Sequence, residues 1–339
     1  MKFEDVQRLT DAWQGKQIGV VGDLMLDRYI WGRADRISQE APIPVVKAGK
    51  TTTRPGGAAN VLHNLKTLGA TPRTYGVLGK DISGNLLRCL LDELNIDTQG
   101  LLDDPDRITP EKTRILAGSQ QVVRLDNERI EPLYPHTKEQ LLAAIQTDLE
   151  AGRLDGLIIE DYAKGTLDIG LVETILQLCR EHGLPVAMDP HPANPMLVDG
   201  LTLITPNRAE AFALAGLYHS EAKSPITEDD ALLDVVQRLL DRCLLEQLLI
   251  TLGGDGMALF RRGEAPLHVP TVAREVFDVS GAGDTVIASY LLALCAGATP
   301  EEAAVLANHA AGVVVGKVGT APVHLEELLN AFKAETGQE

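Results

Sequence analysis

The chain is short of basic residues: 31 Lys and Arg stand against 48 Asp and Glu in 339 residues, a formal net charge of −17 with neutral histidines. General nucleic-acid or anionic-membrane binding needs a basic face, so neither class fits. Any phosphate handled here must be held by local donors. Aromatic residues are only 4 % of the chain, and the apolar 45 % rests mainly on Leu, Val, Ile and Ala, which suits α/β layers better than an aromatic-rich sandwich. No apolar run approaches the ~20 residues of a membrane span, and the start, MKFEDVQRLTDAWQGK, has no apolar signal core. A cytoplasmic address is the resulting expectation. Cysteine is scarce, and Cys89, Cys179, Cys243 and Cys295 stand singly in Leu-rich, helix-like stretches. No CxxC or Cys/His pair offers metal spacing, so they are expected to be reduced core residues.

What is present is a β/α alternation. Gln17–Gly22 is an apolar run ending in Gly-Asp, the pattern of a buried parallel strand whose C-terminal end faces a site, with Asp23 directly after it. Asp27–Lys50 mixes aromatic, charged and β-branched residues around Pro42 and Pro44 with no helical period, and reads as exposed β structure. A helix follows at Ala58–Leu68, stopped by Gly69, then a strand at Thr74–Leu78 and a helix at Ile82–Leu94. Lys112–Leu116 and Gln121–Leu125 read as a hairpin around Gly118-Ser119 and as partners for the first β segment. Further on, helices at Lys138–Ala151, Ile169–His182, Arg208–Leu214 and Asp229–Cys243 alternate with strands at Gly156–Ile159, Pro185–Met188, Leu201–Ile204 and Leu248–Thr251. Such spacing implies a parallel sheet covered on both faces. With no repeat and no linker, the expectation is one α/β domain over residues 1–339, carrying a small β appendage at about 27–50 and 110–126.

The chemistry gathers in four Gly- or Asn-bearing turns. Asp278-Val279-Ser280-Gly281-Ala282-Gly283-Asp284-Thr285 runs into an apolar helix. Small residues at a helix start let backbone N–H groups approach an anion, and the helix dipole favours negative charge there. Asp284, in the first turn, is well placed to take a proton from a hydroxyl attacking that anion; a plain helix cap is the competing reading. Arg54-Pro55-Gly56-Gly57-Ala58-Ala59-Asn60 is a second such turn, where Gly56 and Gly57 would let a ligand touch backbone and Asn60 offers a donor and an acceptor to a polyol. Asn207 and Glu210, three apart in TPNRAE, could support a hydrated Mg²⁺, or be a helix cap with its capping-box partner. Thr251-Leu252-Gly253-Gly254-Asp255-Gly256 is either part of a nucleotide site or a tight hairpin.

In this order and separation, GGAAN near residue 56 and DVSGAGDT near residue 278, with TPNRAE and TLGGDG between them, resemble the signatures of the ribokinase-like (PfkB) carbohydrate kinases. There is no GxxxxGK[ST], which disfavours a P-loop kinase. Gly22-Asp23, Asp27-Arg28-Tyr29, RISQEAPIPVV (36–46), SQQVVRLD (119–126) and DYAKG (161–165) look like the heptose 7-phosphate kinase branch, in its stand-alone kinase form. The chain departs from that pattern at Gln39, where Pro is usual, at Ala163, where Gly is usual, and at His191–Pro195.

The resemblance implies a three-layer αβα sandwich with a mainly parallel sheet, a small β lid over the sugar, and a homodimer. It further implies phosphorylation, by ATP with Mg²⁺, of the anomeric hydroxyl of D-glycero-β-D-manno-heptose 7-phosphate. Asp284 would be the base, Gly281, Ala282 and Gly283 the anion hole, and Asn207 and Glu210 the support of Mg²⁺ through water. Asp278 and Ser280 match a monovalent-cation position, with use of K⁺ left open. Asp23, Gly56, Gly57 and Asn60 would take the sugar; Arg124, Lys164 and Arg36 are the candidates for its phosphate. ATP would lie along Thr251, Gly253, Gly256 and Asn308, although Ala303, Leu306, Ala307, Ala310 and Val313 read as core packing. Two alternatives stand beside this: a kinase of the same fold for fructose, ribose or another sugar phosphate, and a non-catalytic sugar or nucleotide binder, against which an intact Asp284 argues.

Overall fold

The computed structural model describes residues 1–336 apart from Ser119, Ser224 and Arg274. The chain opens with α1 (Phe3–Ala12) and β1 (Gln17–Gly22), then two long strands, β2 (Leu24–Ile37) and β3 (Pro44–Gly57). α2 (Ala58–Leu68), β4 (Thr71–Gly79), α3 (Ile82–Glu93) and β5 (Asp97–Asp104) follow, then β6 (Glu111–Ala117) and β7 (Gln120–Asn127). The second half runs α4 (Pro135–Glu150), β8 (Gly156–Glu160), α5 (Ile169–Glu181), β9 (Val186–Asp189), β10 (Leu203–Ile204), α6 (Arg208–Ala215) and α7 (Asp230–Arg242). It ends with β11 (Gln247–Thr251), β12 (Met257–Phe260), β13 (Leu267–Val269), α8 (Ala282–Cys295), α9 (Pro300–Val314) and α10 (Leu325–Thr336).

Nine strands form one sheet in the order β13-β12-β11-β10-β9-β8-β1-β4-β5. It is parallel from β5 to β11, and β12 and β13 close one edge antiparallel. Strands buried on both faces read as continuous apolar runs, as in β1 and β8. One core cluster packs α1, α2, α8, α9 and α10 on one face, and the other packs α4 to α7 on the opposite face. The three-layer αβα expectation holds. α8 lies deepest, with every residue from Asp284 to Ala293 buried; truncating Leu291 there would cost about 2–5 kcal/mol.

The small sheet, β3-β2-β6-β7, is the expected β appendage: β2 pairs antiparallel with β3 and parallel with β6, and β6 pairs antiparallel with β7. Ser119, in the expected hairpin turn, lies outside the described residues. Some expectations shift. β3 extends to Gly57, so Arg54–Gly57 is a strand end rather than a free turn. Strands β5, β12 and β13 were not expected; β5 and β13 end the sheet on its two sides, and β5 (DTQGLLDD) is half polar. Cys179 and Cys243 are buried, but Cys89 is exposed on α3 and so is no core residue. Among the described residues, no helix is long and apolar enough to cross a membrane.

Candidate active site

The C-terminal ends of β1, β8 and β9 meet the N-terminus of α8, the edge at which open α/β sheets place ligands. Asp284, in the first turn of α8, is 3 % exposed. The Tyr162 hydroxyl donates to its Oδ1 at 2.5 Å and Asn60 Nδ2 donates to its Oδ2 at 2.6 Å. Burial pushes its carboxyl pKa up, and these two hydrogen bonds oppose the rise without cancelling it. Gly281 caps the helix at φ +80, and a Cβ there would lie 2.6 Å from Asn60 Nδ2, so the position needs glycine for both backbone and space. The Ala282 amide donates to the Val279 carbonyl at 3.2 Å. Of the expected anion hole, the Ala282 amide is thus taken, while the first turn of the helix leaves the amides of Gly283 and Asp284 free for an anion, with Gly281 at the cap before them.

Several expected sugar ligands are committed elsewhere. Asp23 is 1 % exposed, and its carboxylate accepts the amides of Tyr162, Lys164 and Thr166 at 3.0, 2.9 and 3.1 Å. It builds the 161–166 turn instead of facing a ligand. That turn holds Ala163 at φ +53, a left-handed conformation that explains why the family pattern has glycine there. Asn60 is fully buried and positions Asp284, leaving its own Oδ1 without a partner among the described residues.

The sequence reading passed over Asp27. Its carboxylate is buried, accepts Arg114 Nη1 at 2.5 Å and Thr320 Oγ1 at 3.1 Å, and lies close enough to Asp284 to help raise its pKa. A Cβ on Gly56 would stand 2.8 Å from Asp27 Oδ2, and Gly57, at φ +57, packs on the Asp23 carbonyl. The glycine pair thus makes room for carboxylate and backbone. A charged residue beside the apolar run Leu24–Leu26 was the available signal.

The basic candidates separate. Arg36 is exposed on the outer part of β2. Arg124 is exposed and pairs with Asp126 at 2.8 Å, and Lys164 pairs with Glu128 at 2.8 Å. Both nonetheless act electrostatically on Lys112, which sequence reasoning missed. Lys112 is partly buried, with Nζ 5.2 Å from the Tyr162 ring centroid and no carboxylate at ion-pair distance among the described residues. Burial, and then Lys164, Arg114 and Arg124, pull its pKa down despite Asp27.

On the other side of Asp284 lies a pocket of acids. One carboxylate oxygen each of Glu160, Asp189 and Asp284 lies within 4.8 Å of the others. Glu160 is fully buried with both oxygens unpartnered among the described residues, and burial, then Asp189 and Asp284, push its pKa far up. Asp189 is raised likewise, by burial and then by Glu210. Asn207 and Glu210 do form a capping box, at 3.0 and 2.8 Å, yet the Glu210 carboxylate still acts on Asp189. For Asp278, burial pushes upward, but the Ser280 and Gly319 amides and nearby Arg114 hold it below its usual range.

In the expected nucleotide segment, Thr251 ends β11 and residues Gly253–Asp255 turn the chain antiparallel into β12. Gly253 and Gly256 take φ +61 and +86 in that turn. Asn308 Nδ2 donates to the Pro270 carbonyl at 2.7 Å. Ala303, Leu306, Ala307 and Ala310 are core, whereas Val313 faces a cavity of about 670 Å³ shared with Val272, Phe277 and Gly312.

The sequence model for pfkB family carbohydrate kinases matches residues 16–327. The chain belongs to that family. Among curated relatives, the pfkB kinase chain is 40 % identical to the bifunctional protein HldE of Geobacter sulfurreducens over 94 % of its own length and 63 % of the relative's. It is 42 % identical to the bifunctional protein HldE of Syntrophotalea carbinolica over 92 % and 62 %. The chain thus spans less than two thirds of these relatives. Similar folds include Arabidopsis thaliana ribokinase complexed with ribose and ATP (TM-score 0.72, 20 % identity, 94 % of this chain and 99 % of that one). Escherichia coli phosphofructokinase-2 in complex with potassium is similar too (TM-score 0.75, 16 % identity, 95 % and 100 %).

Proposed function

We propose that this kinase transfers the γ-phosphoryl group of ATP to the anomeric O1 hydroxyl of D-glycero-β-D-manno-heptose 7-phosphate, giving the 1,7-bisphosphate used to make ADP-heptose for the lipopolysaccharide core. The observation that carries the transfer is Asp284, buried beside the first-turn amides of α8 and oriented from both sides by Asn60 and Tyr162. The heptose rests on the RISQEAPIPVV and DYAKG resemblance and on the similarity to the HldE proteins.

Phosphoryl transfer depends on placement and charge more than on covalent chemistry. The raised pKa of Asp284, caused by burial, makes its carboxylate a better proton acceptor than an exposed aspartate. It takes the O1 proton as that oxygen attacks phosphorus. The amides of Gly283 and Asp284 face the charge that develops, each worth about 3 kcal/mol if it behaves like other oxyanion donors. A Mg²⁺ ion bound with ATP would supply charge neutralisation at the transferring phosphates. The carboxylates of Asp189 and Glu210, with the unpartnered Glu160 behind, fit a hard divalent cation, with Asn207 alongside. We place a monovalent cation, K⁺ included, at Asp278 and Ser280. The acceptor phosphate goes to Lys112, with Lys164 and Arg124 around it. The exposed Ile37, Val123 and Leu125 on the small sheet, with Ile43 in the bend between β2 and β3, support a homodimer joined there, and the ATP substrate supports a cytoplasmic setting.

Coupled ADP release with Mg-ATP tests the reading on D-glycero-β-D-manno-heptose 7-phosphate, ribose, fructose and fructose 6-phosphate. Strong preference for the heptose phosphate is expected. Preference for any other acceptor would overturn the heptose assignment while keeping the kinase.

A further inference from the structure

Asp284, taken as the base, already holds a hydroxyl. Its Oδ1 accepts the Tyr162 phenol at 2.5 Å, the position and chemistry an attacking sugar hydroxyl would need. The other oxygen is fixed by Asn60 at 2.6 Å. The backbone beneath Tyr162 cannot easily move, because Asp23 accepts the amides of residues 162, 164 and 166 and Asp161 accepts that of Ala163 at 2.8 Å. The side chain can: it is only partly buried, Asp284 is its one hydrogen-bond partner among the described residues, and its ring is covered by the Lys112 ammonium at 5.2 Å. Among the described residues Lys112 has no carboxylate at ion-pair distance, so an anionic acceptor arriving at Lys112 would disturb the contact over the ring. The phenol is no base itself, since burial and the charge of Asp284 keep it protonated.

We infer that Tyr162 is a displaceable cap on Asp284: its hydroxyl occupies the acceptor's place until the sugar arrives, and so denies water the use of the same base. This rests on the assignment of Asp284 as base. The reaction it suppresses is hydrolysis: a water oxygen bonds to the γ-phosphorus, the bond to the β–γ bridging oxygen breaks, ADP leaves, and the water proton passes to Asp284 and then to solvent. An enzyme that closes over its acceptor gains by excluding that competitor.

The test is ATP hydrolysis without acceptor, expressed as a ratio to sugar phosphorylation, in wild type, Tyr162→Phe and Tyr162→Phe/Asp284→Asn, with thermal melts to establish folding. Tyr162→Phe removes one oxygen, leaves the ring and opens a water-sized space against Oδ1. The ratio should rise about tenfold or more, within the range that an engaged general base provides, and the double variant should lose the gain. Tyr162→Leu should change it in the same direction. A folded Tyr162→Phe protein with an unchanged ratio overturns the cap, as does a fall in phosphorylation with no rise in hydrolysis, which would make Tyr162 an acceptor-positioning residue. Failure of the underlying assignment reads differently: Asp284→Asn alone would then keep more than a tenth of wild-type phosphorylation.

Discussion

Replacing Asp284 by Asn tests the base directly, and the structure says why the fold should tolerate it. The carboxylate accepts one hydrogen bond on each oxygen, from Tyr162 and from Asn60. An amide keeps one acceptor and turns the other atom into a donor facing a donor. Asn60 can absorb the change, because its Oδ1 is buried and unpartnered and a flip of its side chain would present that oxygen to the new NH₂. The exchange trades a charge-assisted hydrogen bond for a neutral one, a difference of about 1 kcal/mol, and it removes a carboxylate whose raised pKa shows that its charge is disfavoured there. Thermal stability and ATP affinity should therefore stay near wild type. Turnover should fall about 10²–10⁴-fold, the usual contribution of a positioned general base. The working form of Asp284 is ionised, so wild-type kcat/KM should decline as pH falls through a pKa lying above the ordinary aspartate value of 3.8, and the variant should lack that limb. The assay is coupled ADP release at saturating Mg-ATP over a range of acceptor concentrations and pH, with calorimetric titration of ATP. A folded variant that keeps more than a tenth of wild-type kcat, or that shows the same acid limb, would refute the assignment.

Three further outcomes are expected. Lys112→Ala should raise KM for a phosphorylated acceptor about tenfold, the equivalent of ~1.4 kcal/mol, and much less for its dephosphorylated analogue, whereas Arg124→Ala, exposed and paired with Asp126, should change either by under about threefold; steady-state kinetics on both acceptors decides between them. Arg114→Ala would leave Asp27 uncompensated at 3 % side-chain exposure, so denaturant melts should show a loss of about 3–5 kcal/mol. His63 is held down to about 4 by burial, then by His324, Arg54 and Lys317. Its folded pKa lies below the unfolded value, so it contributes stability that is present above about pH 6.5 and lost as pH falls toward 4, up to about 3 kcal/mol. His63→Gln should flatten the melting temperature between those pH values; an unchanged acid slope would count against this.

The sequence was most legible where a residue's conformation depends on its immediate neighbours. The buried runs of β1 and β8, the amphipathic face of α7 and the glycine stopping α2 are local features, and all appear close to their expected bounds. Gly281 likewise declared itself through the helix start that follows it. β5 was lost because half of it is polar, and β12 and β13 because four and three residues are too short to show a period. Site residues fared unevenly for a different reason: the partners of Asp284 are 122 and 224 positions away in sequence. Nothing near Asp23 shows that its carboxylate will be filled by amides from the 162–166 turn, or that Asp27, four residues on, is the one held by Arg114.

Glu160 takes this furthest. In the sequence it is a polar residue ending an apolar run, GLIIE, a spelling that would serve equally for a solvated strand end. Parallel pairing of β8 with β9 sets Glu160 against Asp189, and the start of α8 adds Asp284. None of the three would signal a site alone, yet together they make a buried negative pocket next to amides that favour an anion. Opposite demands at such short range require an intervening positive charge, a bound divalent cation or a proton, whenever phosphate is present. Under the proposed function, a chain of net charge −17 needs no basic surface to take ATP, because the charge that matters is balanced inside the site.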